Sequence, residues 1–140
     1  MTAFYLDSSV AVRVLLGHSP AAIRWFAATV AGPHPVLSSR LLGTELTRVL
    51  RREQLGLERR DEILDHLATI SMTPPVFRAA DAIEDRIKTL DALHLASALM
   101  IDDDNVTVVT HNATVARAAR SVGLDVHDPV TDDPGRPAIG

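Results

Sequence analysis

Asp7, Glu45 and Asp91 are the residues of this chain whose type and placement best fit chemistry. Asp7 closes the apolar run Ala3-Phe4-Tyr5-Leu6, and Glu45 lies just inside a helical stretch that follows Val36-Leu37-Ser38. Asp91 opens the run Asp91-Ala92-Leu93-His94-Leu95-Ala96-Ser97-Ala98-Leu99. In a parallel α/β sheet the carboxyl ends of the strands and the first helical turns meet at one edge. Carboxylates gathered there repel one another unless a cation sits among them. An all-oxygen, acid-rich set suits Mg²⁺ or Mn²⁺. The chemistry implied is metal-dependent phosphoryl transfer. Each acid alone has an ordinary reading: a helix cap for Asp7, a solvated helix residue for Glu45, a dipole-stabilising residue for Asp91. Their joint placement argues for a site.

The pattern of apolar residues and breakers predicts the elements that would position these acids. Residues 3–7 read as a buried strand, followed by a helix over Val10–Leu16 that Ser8 or Ser9 caps. Gly17-His18-Ser19-Pro20 breaks it, and a second helix covers about 21–31. Val36-Leu37-Ser38 is a second short strand. Ser39 caps a helix to about Gln54, with Leu42, Leu46, Val49 and Leu50 as its apolar stripe and Gly56 as its end. A helix over 58–68, a strand over Thr69–Met72 and a helix over Val76–Ile87 follow, with Pro74-Pro75 stopping the strand. Thr89 caps a helix from near Asp91 to Ile101. Val106-Thr107-Val108-Val109 is the clearest strand; after Thr110-His111-Asn112 an Ala-rich helix runs to Val122, capped by Gly123, and residues 124–127 form a last strand. Five strands alternating with helices imply right-handed crossovers and a parallel sheet.

The 140 residues suit one domain, over 1–129, with a frayed tail over 130–140; the Pro- and Gly-rich stretch from Asp128 has little apolar content. Nearly half the chain is apolar (46%) but only five residues are aromatic, so the core must be aliphatic. The absence of Cys excludes disulfides, zinc–thiolate sites and cysteine nucleophiles. No segment is apolar enough to span a bilayer and no signal peptide is evident, so no membrane partner and a cytoplasmic location are expected. The net charge of −4 argues against a protein held on DNA by bulk charge. It is compatible with an RNA-acting enzyme whose bases, thirteen Arg and one Lys, line the rim of an acidic centre. The sequence has no Gly-x-Ser-x-Gly elbow and no phosphate loop followed by Lys. Asp102-Asp103-Asp104 reads as a solvated turn, His94 as a packed or hydrogen-bonded histidine, and His111 as a solvent-facing neighbour of the site.

Tyr5-Leu6-Asp7-Ser8-Ser9, Glu45, and Leu90-Asp91-Ala92-Leu93-His94-Leu95-Ala96 resemble the PIN domain, and most of all the VapC toxins of bacterial toxin–antitoxin pairs. The resemblance covers about residues 3–129. It implies a three-layer α/β/α fold around a five-stranded parallel sheet. It also implies an Mg²⁺-dependent endoribonuclease (Mn²⁺ an alternative), homodimeric, inhibited by a VapB-like antitoxin and acting on structured RNA such as tRNA or rRNA. The family's acids map to Asp7, Glu45 and Asp91, and its small hydroxyl residue after the first acid maps to Ser8. Its fourth acid falls in a Thr-x-Asp stretch that here reads Thr110-His111-Asn112, so Asn112 offers at most a neutral oxygen and Thr110 is a supporting residue. The alternative is a PIN-like scaffold, weakened in catalysis at Asn112, that binds RNA or protein without cutting.

Overall fold

A computed structural model describes residues 2–134. Its elements, in chain order, are β1 (Thr2–Leu6), α1 (Ser8–Leu15), α2 (Pro20–Val30), β2 (Val36–Ser39), α3 (Arg40–Arg52), a 3₁₀ turn (Leu57–Arg60), α4 (Asp61–Leu64), β3 (Ala68–Ile70), α5 (Pro74–Ala82), α6 (Thr89–Leu99), β4 (Asn105–Val109), α7 (Ala113–Ser121), β5 (Asp125–His127) and a 3₁₀ turn (Pro129–Asp132). The strands form one parallel sheet in the order β3-β2-β1-β4-β5. The chain winds outward from β1 through β2 to β3, then returns to place β4 on the other side of β1. The strand order therefore switches between β1 and β4, where an open α/β sheet leaves a crevice at its carboxyl edge.

Alternation along β1 divides the core between the two faces of the sheet. Leu6 joins Val10, Ala11, Leu15 and the α3 stripe Leu42, Leu46 and Leu50 on one face. Tyr5 joins Leu95 and Ala98 of α6 and Val115, Ala118 and Ala119 of α7 on the other. A smaller cluster of Val76, Leu93 and Ala96 ties α5 to α6. These are the three layers α/β/α that the resemblance implies. The three α3 leucines are spaced by four, so one face of the helix is wholly buried; each is worth about 1.5–3 kcal/mol against exposure. That anchorage fixes the rotation of α3, and with it the direction of Glu45.

Local chemistry explains most boundaries. The Ser39 hydroxyl accepts from the Leu41 amide and starts α3 as expected. Pro74 and Pro75 occupy the first turn of α5, where a missing amide costs nothing, so that helix begins earlier than expected and ends at Ala82. The helix expected over 58–68 is only a 3₁₀ turn and the four residues of α4, because β3 begins at Ala68. Gly123 caps α7 at φ 85°, but α3 turns at Gln54 (φ 57°), not at Gly56. The Leu55 amide then donates to the Leu50 carbonyl, closing the helix before the glycine.

The expected fraying from Asp128 does not extend through residues 129–133. Val130 is buried in the same core cluster as residues of α1 and α2, and its turn packs on α2. Asp133 accepts from the Ser19 hydroxyl at 2.6 Å and from the Ala21 amide at 2.7 Å, so it caps α2 together with Ser19. One apolar residue and one well-placed acid suffice to hold a stretch that composition marked as loose. Residues 135–140 of the expected tail lie outside the described residues.

Candidate active site

The three acids reach one cleft from three elements. Asp7 follows β1, Glu45 projects from α3 one position before the buried Leu46, and Asp91 stands in the first turn of α6. Together with Asn112 they line a cavity of about 300 Å³, rimmed by Arg13 and Arg52. It opens at the crevice between the carboxyl ends of β1 and β4.

Asp7 is buried, with 2% of its surface exposed. Its Oδ2 accepts from the Ser9 hydroxyl at 2.7 Å and from the Thr110 hydroxyl at 2.8 Å. Its Oδ1 is buried without a hydrogen-bond partner. Ser9 also receives the His111 amide at 2.9 Å, which stitches the end of β1 to the end of β4. The hydroxyl bonded to Asp7 is that of Ser9; Ser8, onto which the family's small hydroxyl residue maps, lines the cleft as the first residue of α1. The Asp-Ser-Ser sequence alone left both hydroxyls available, and only the turn into α1 selects the second.

Glu45 is held from behind by a buried relay. Its Oε1 lies 2.5 Å from His94 Nε2, and His94 Nδ1 lies 2.6 Å from the Tyr5 hydroxyl. Tyr5 and His94 are almost wholly buried, and burial pushes the Tyr5 phenol far above its ordinary pKa, so it stays neutral. In the neutral imidazole the phenol donates to Nδ1 and Nε2 donates to Glu45; in the imidazolium both nitrogens donate, and the phenol oxygen accepts. Burial pulls the His94 pKa down, but the hydrogen bond and charge of Glu45, with Asp7 and Asp91 nearby, outweigh it and raise the value overall. His94 is therefore hydrogen-bonded, the ordinary alternative to ligation.

Asp91 is partly buried, and its pKa is raised first by desolvation and then by the charge of Asp7, with Glu45 adding to it. The charges of His94 and Lys88 oppose this rise without cancelling it. Among the described residues no three His, Asp or Glu side chains are grouped as a ready metal cage; Glu45 is turned to His94 instead. The bare Asp7 oxygen is nevertheless a buried anionic acceptor, and leaving one unmet costs about 1–3 kcal/mol. A donor set of carboxylate oxygens aimed at one small cavity fits a hard divalent cation.

Asn112 faces the same cavity, but its carbonyl is otherwise engaged. Oδ1 accepts from the Thr114 amide at 2.9 Å and the Val115 amide at 3.2 Å, capping α7. His111 is not merely a solvent-facing neighbour: it is partly buried and its Nδ1 lies 2.8 Å from Asp128 Oδ2. Asp102–Asp104 precede β4 at the opposite end of the sheet, where Asp103 accepts from the Asn105 amide. The bonds made by Ser9, by Tyr5 and between His111 and Asp128 are the parts of this edge that the sequence did not mark. Only a hydroxyl two residues after an acid, and an aromatic next to a strand end, stand in the sequence as signals for the first two.

A family model described as the PIN domain matches residues 4–121. The chain is 32% identical over 136 residues to ribonuclease VapC47 of Mycobacterium tuberculosis (strain CDC 1551 / Oshkosh), covering 94% of this chain and 96% of that protein. It is 30% identical over 132 residues to ribonuclease VapC46 of Mycobacterium tuberculosis (strain ATCC 25618 / H37Rv), covering 92% and 99%. A solved structure of VapBC2 from Rickettsia felis, bound to a DNA fragment from their promoter, superposes with a TM-score of 0.69. Its sequence identity is 16%, with 91% of this chain and 98% of that one covered. The last likeness bears on the fold alone.

Proposed function

This chain belongs to the PIN-domain family, and on that premise we propose that it is a divalent-metal-dependent endoribonuclease, the toxin of a VapBC-type toxin–antitoxin pair. The observation that carries the reading is Asp7: buried, fixed through one oxygen by Ser9 and Thr110, and bare at the other, where the cleft shared with Glu45 and Asp91 begins. The relatives named as VapC ribonucleases support the substrate class.

Asp7, Glu45 and Asp91 would hold Mg²⁺ or Mn²⁺. When bound, such an ion supplies charge neutralisation at a phosphodiester and lowers the pKa of water. The chain's own residues do the positioning. Ser9 and Thr110 lock the Asp7 carboxylate, the Tyr5–His94 relay restrains Glu45, and the buried face of α6 fixes Asp91. Asn112 caps α7 at the rim, so the charge of the site comes from three acids. Arg13 and Arg52 line the cleft, and Arg13 is held by its bond to the Ser9 carbonyl at 2.8 Å.

The substrate we assign is structured RNA, tRNA or rRNA, read through its exposed loops, where unpaired bases are accessible. The partner is a cognate VapB-like antitoxin whose guanidinium or ammonium group enters the carboxylate cleft and blocks it. The toxin acts in the cytoplasm as a homodimer. No described helix is long and apolar enough to cross a membrane.

The test is incubation of purified protein with total RNA, with Mg²⁺ and with EDTA, followed by sequencing of the new ends. Discrete cuts that require the metal support the enzyme. The second reading, a scaffold that binds without cutting, draws on the engagement of the Asn112 carbonyl by α7; it predicts RNA or protein binding with no metal-dependent ends.

A further inference from the structure

Away from the acids, α3, the Leu57–Arg60 turn with α4, and the edge strand β3 frame a second cavity of about 500 Å³. Three arginines line it, Arg40 and Arg48 from α3 and Arg60 from the turn, together with Thr44 and Thr47. Among the described residues none of the three forms an ion pair, although Asp61 lines the same space and the chain carries more acids than bases. Three arginines elsewhere have partners: Arg52 with Glu53, Arg13 with the Ser9 carbonyl, Arg59 with the Leu15 carbonyl.

The cavity is organised. Arg60 is partly buried, and its Nη1 donates to Thr47 Oγ1 at 2.7 Å; that hydroxyl donates onward to the Gly43 carbonyl at 2.8 Å. Gly43 lets Arg40 lie close to the helix, since a Cβ there would sit 3.3 Å from its Nη1. A guanidinium fork matches the geometry of phosphate oxygens, and that of Arg60 is held in place by Thr47.

Helix α3 also carries Glu45. Thr44 precedes that acid and Arg48 follows it by three residues, one turn further along. The two cavities thus lie on adjoining faces of one helix, with Arg48 about one turn from Glu45. A chain of net charge −4 with an acidic cleft needs such local cations to hold RNA.

We propose that the cavity framed by Arg40, Arg48 and Arg60 binds backbone phosphates of the RNA strand beside the bond to be cut. The proposal rests on the ribonuclease reading. The experiment measures binding of a short labelled single-stranded RNA by fluorescence anisotropy in EDTA, across a KCl series, alongside Mg²⁺-dependent cleavage. Each phosphate contact on a single strand contributes about 0.7 to the salt slope. The triple variant Arg40→Gln/Arg48→Gln/Arg60→Gln should bind more weakly, with a slope shallower by about 2. Arg40→Gln/Arg48→Gln, which touches only exposed residues, should lose about 1.4 and melt like the parent. Arg24→Gln/Arg117→Gln, on α2 and α7, should bind as the parent does.

A parent that cuts RNA while the double variant keeps its full salt slope overturns the cavity assignment alone. The same holds if the variants bind RNA normally and instead lose affinity for the antitoxin. A parent that neither binds nor cuts RNA overturns the ribonuclease reading and this one with it.

Discussion

Replacing Asp7 by Asn should abolish cleavage and at the same time make the protein more stable when no divalent cation is available. An asparagine keeps one carbonyl oxygen to accept from Ser9 and Thr110, the bonds that fix the side chain at 2.7 and 2.8 Å. It replaces the buried, unpartnered Oδ1 with a neutral amide facing Glu45 and Asp91 across the cleft. It also removes the charge that, after desolvation, most raises the Asp91 pKa. A bare buried oxygen costs about 1–3 kcal/mol. We take about 1 kcal/mol as the gain, because the new amide still has to find an acceptor. For a chain of this size that raises the melting temperature by roughly 4 °C. With Mg²⁺ at a hundred times its dissociation constant, the parent gains about 2.7 kcal/mol by mass action, whereas the variant, lacking the central carboxylate, gains little. The order of the two melting temperatures should therefore invert between EDTA and Mg²⁺, while cut RNA ends vanish in the variant. An Asp7→Asn protein that melts below the parent in EDTA would refute the claim that this carboxylate is held at a cost, and full Mg²⁺-dependent activity would refute its place in the site.

Three further outcomes follow from the same geometry. Thr110→Val should cost about 1–2 kcal/mol in urea denaturation, because it strips a hydrogen bond from a buried carboxylate; an unchanged midpoint would place the Asp7 restraint in Ser9 alone. The raised His94 pKa contributes stability that is fully present below 6.5 and is lost as pH rises through the folded value. His94→Gln, melted in EDTA across pH 6–9, should remove that decline, and a variant with the parent's slope would assign it elsewhere. Asn112→Ala should lose about 1 kcal/mol with the cap of α7, whereas Asn112→Asp should keep the cap and tighten Mg²⁺ in calorimetric titration; equal Mg²⁺ affinity for Asp and Asn at this position would mean the side chain does not address the metal.

The fold was legible because its signals are local and repeated. Leu42, Leu46 and Leu50 declare a helix with one buried face, Val106 to Val109 a buried strand, and Gly123 a helix end. Where the reading missed, a tertiary contact had overruled composition: Val130 and Asp133 hold the stretch after Asp128, and Gln54 takes the left-handed position that Gly56 advertised.

The candidate site divides along the same line. Strand ends and first helical turns place backbone, so the elements that carry Asp7, Glu45 and Asp91 to one edge followed from the pattern and the family resemblance. Side-chain direction does not follow from the pattern. Nothing in the spacing of Tyr5, Glu45 and His94, separated by 40 and 49 residues, announces that they form one buried relay. Asn112 shows the consequence most clearly. As a residue type it offers an oxygen where the family resemblance leads one to expect an acid, but an oxygen one residue before a helix is drawn to the free amides of that helix. In this chain Thr114 and Val115 take it. An aspartate at the same position has two oxygens, one for the helix and one for the cleft, and a full charge. Asn112 thus keeps the cap of α7 and spends its only oxygen on it, whereas an acid there could serve helix and cleft together.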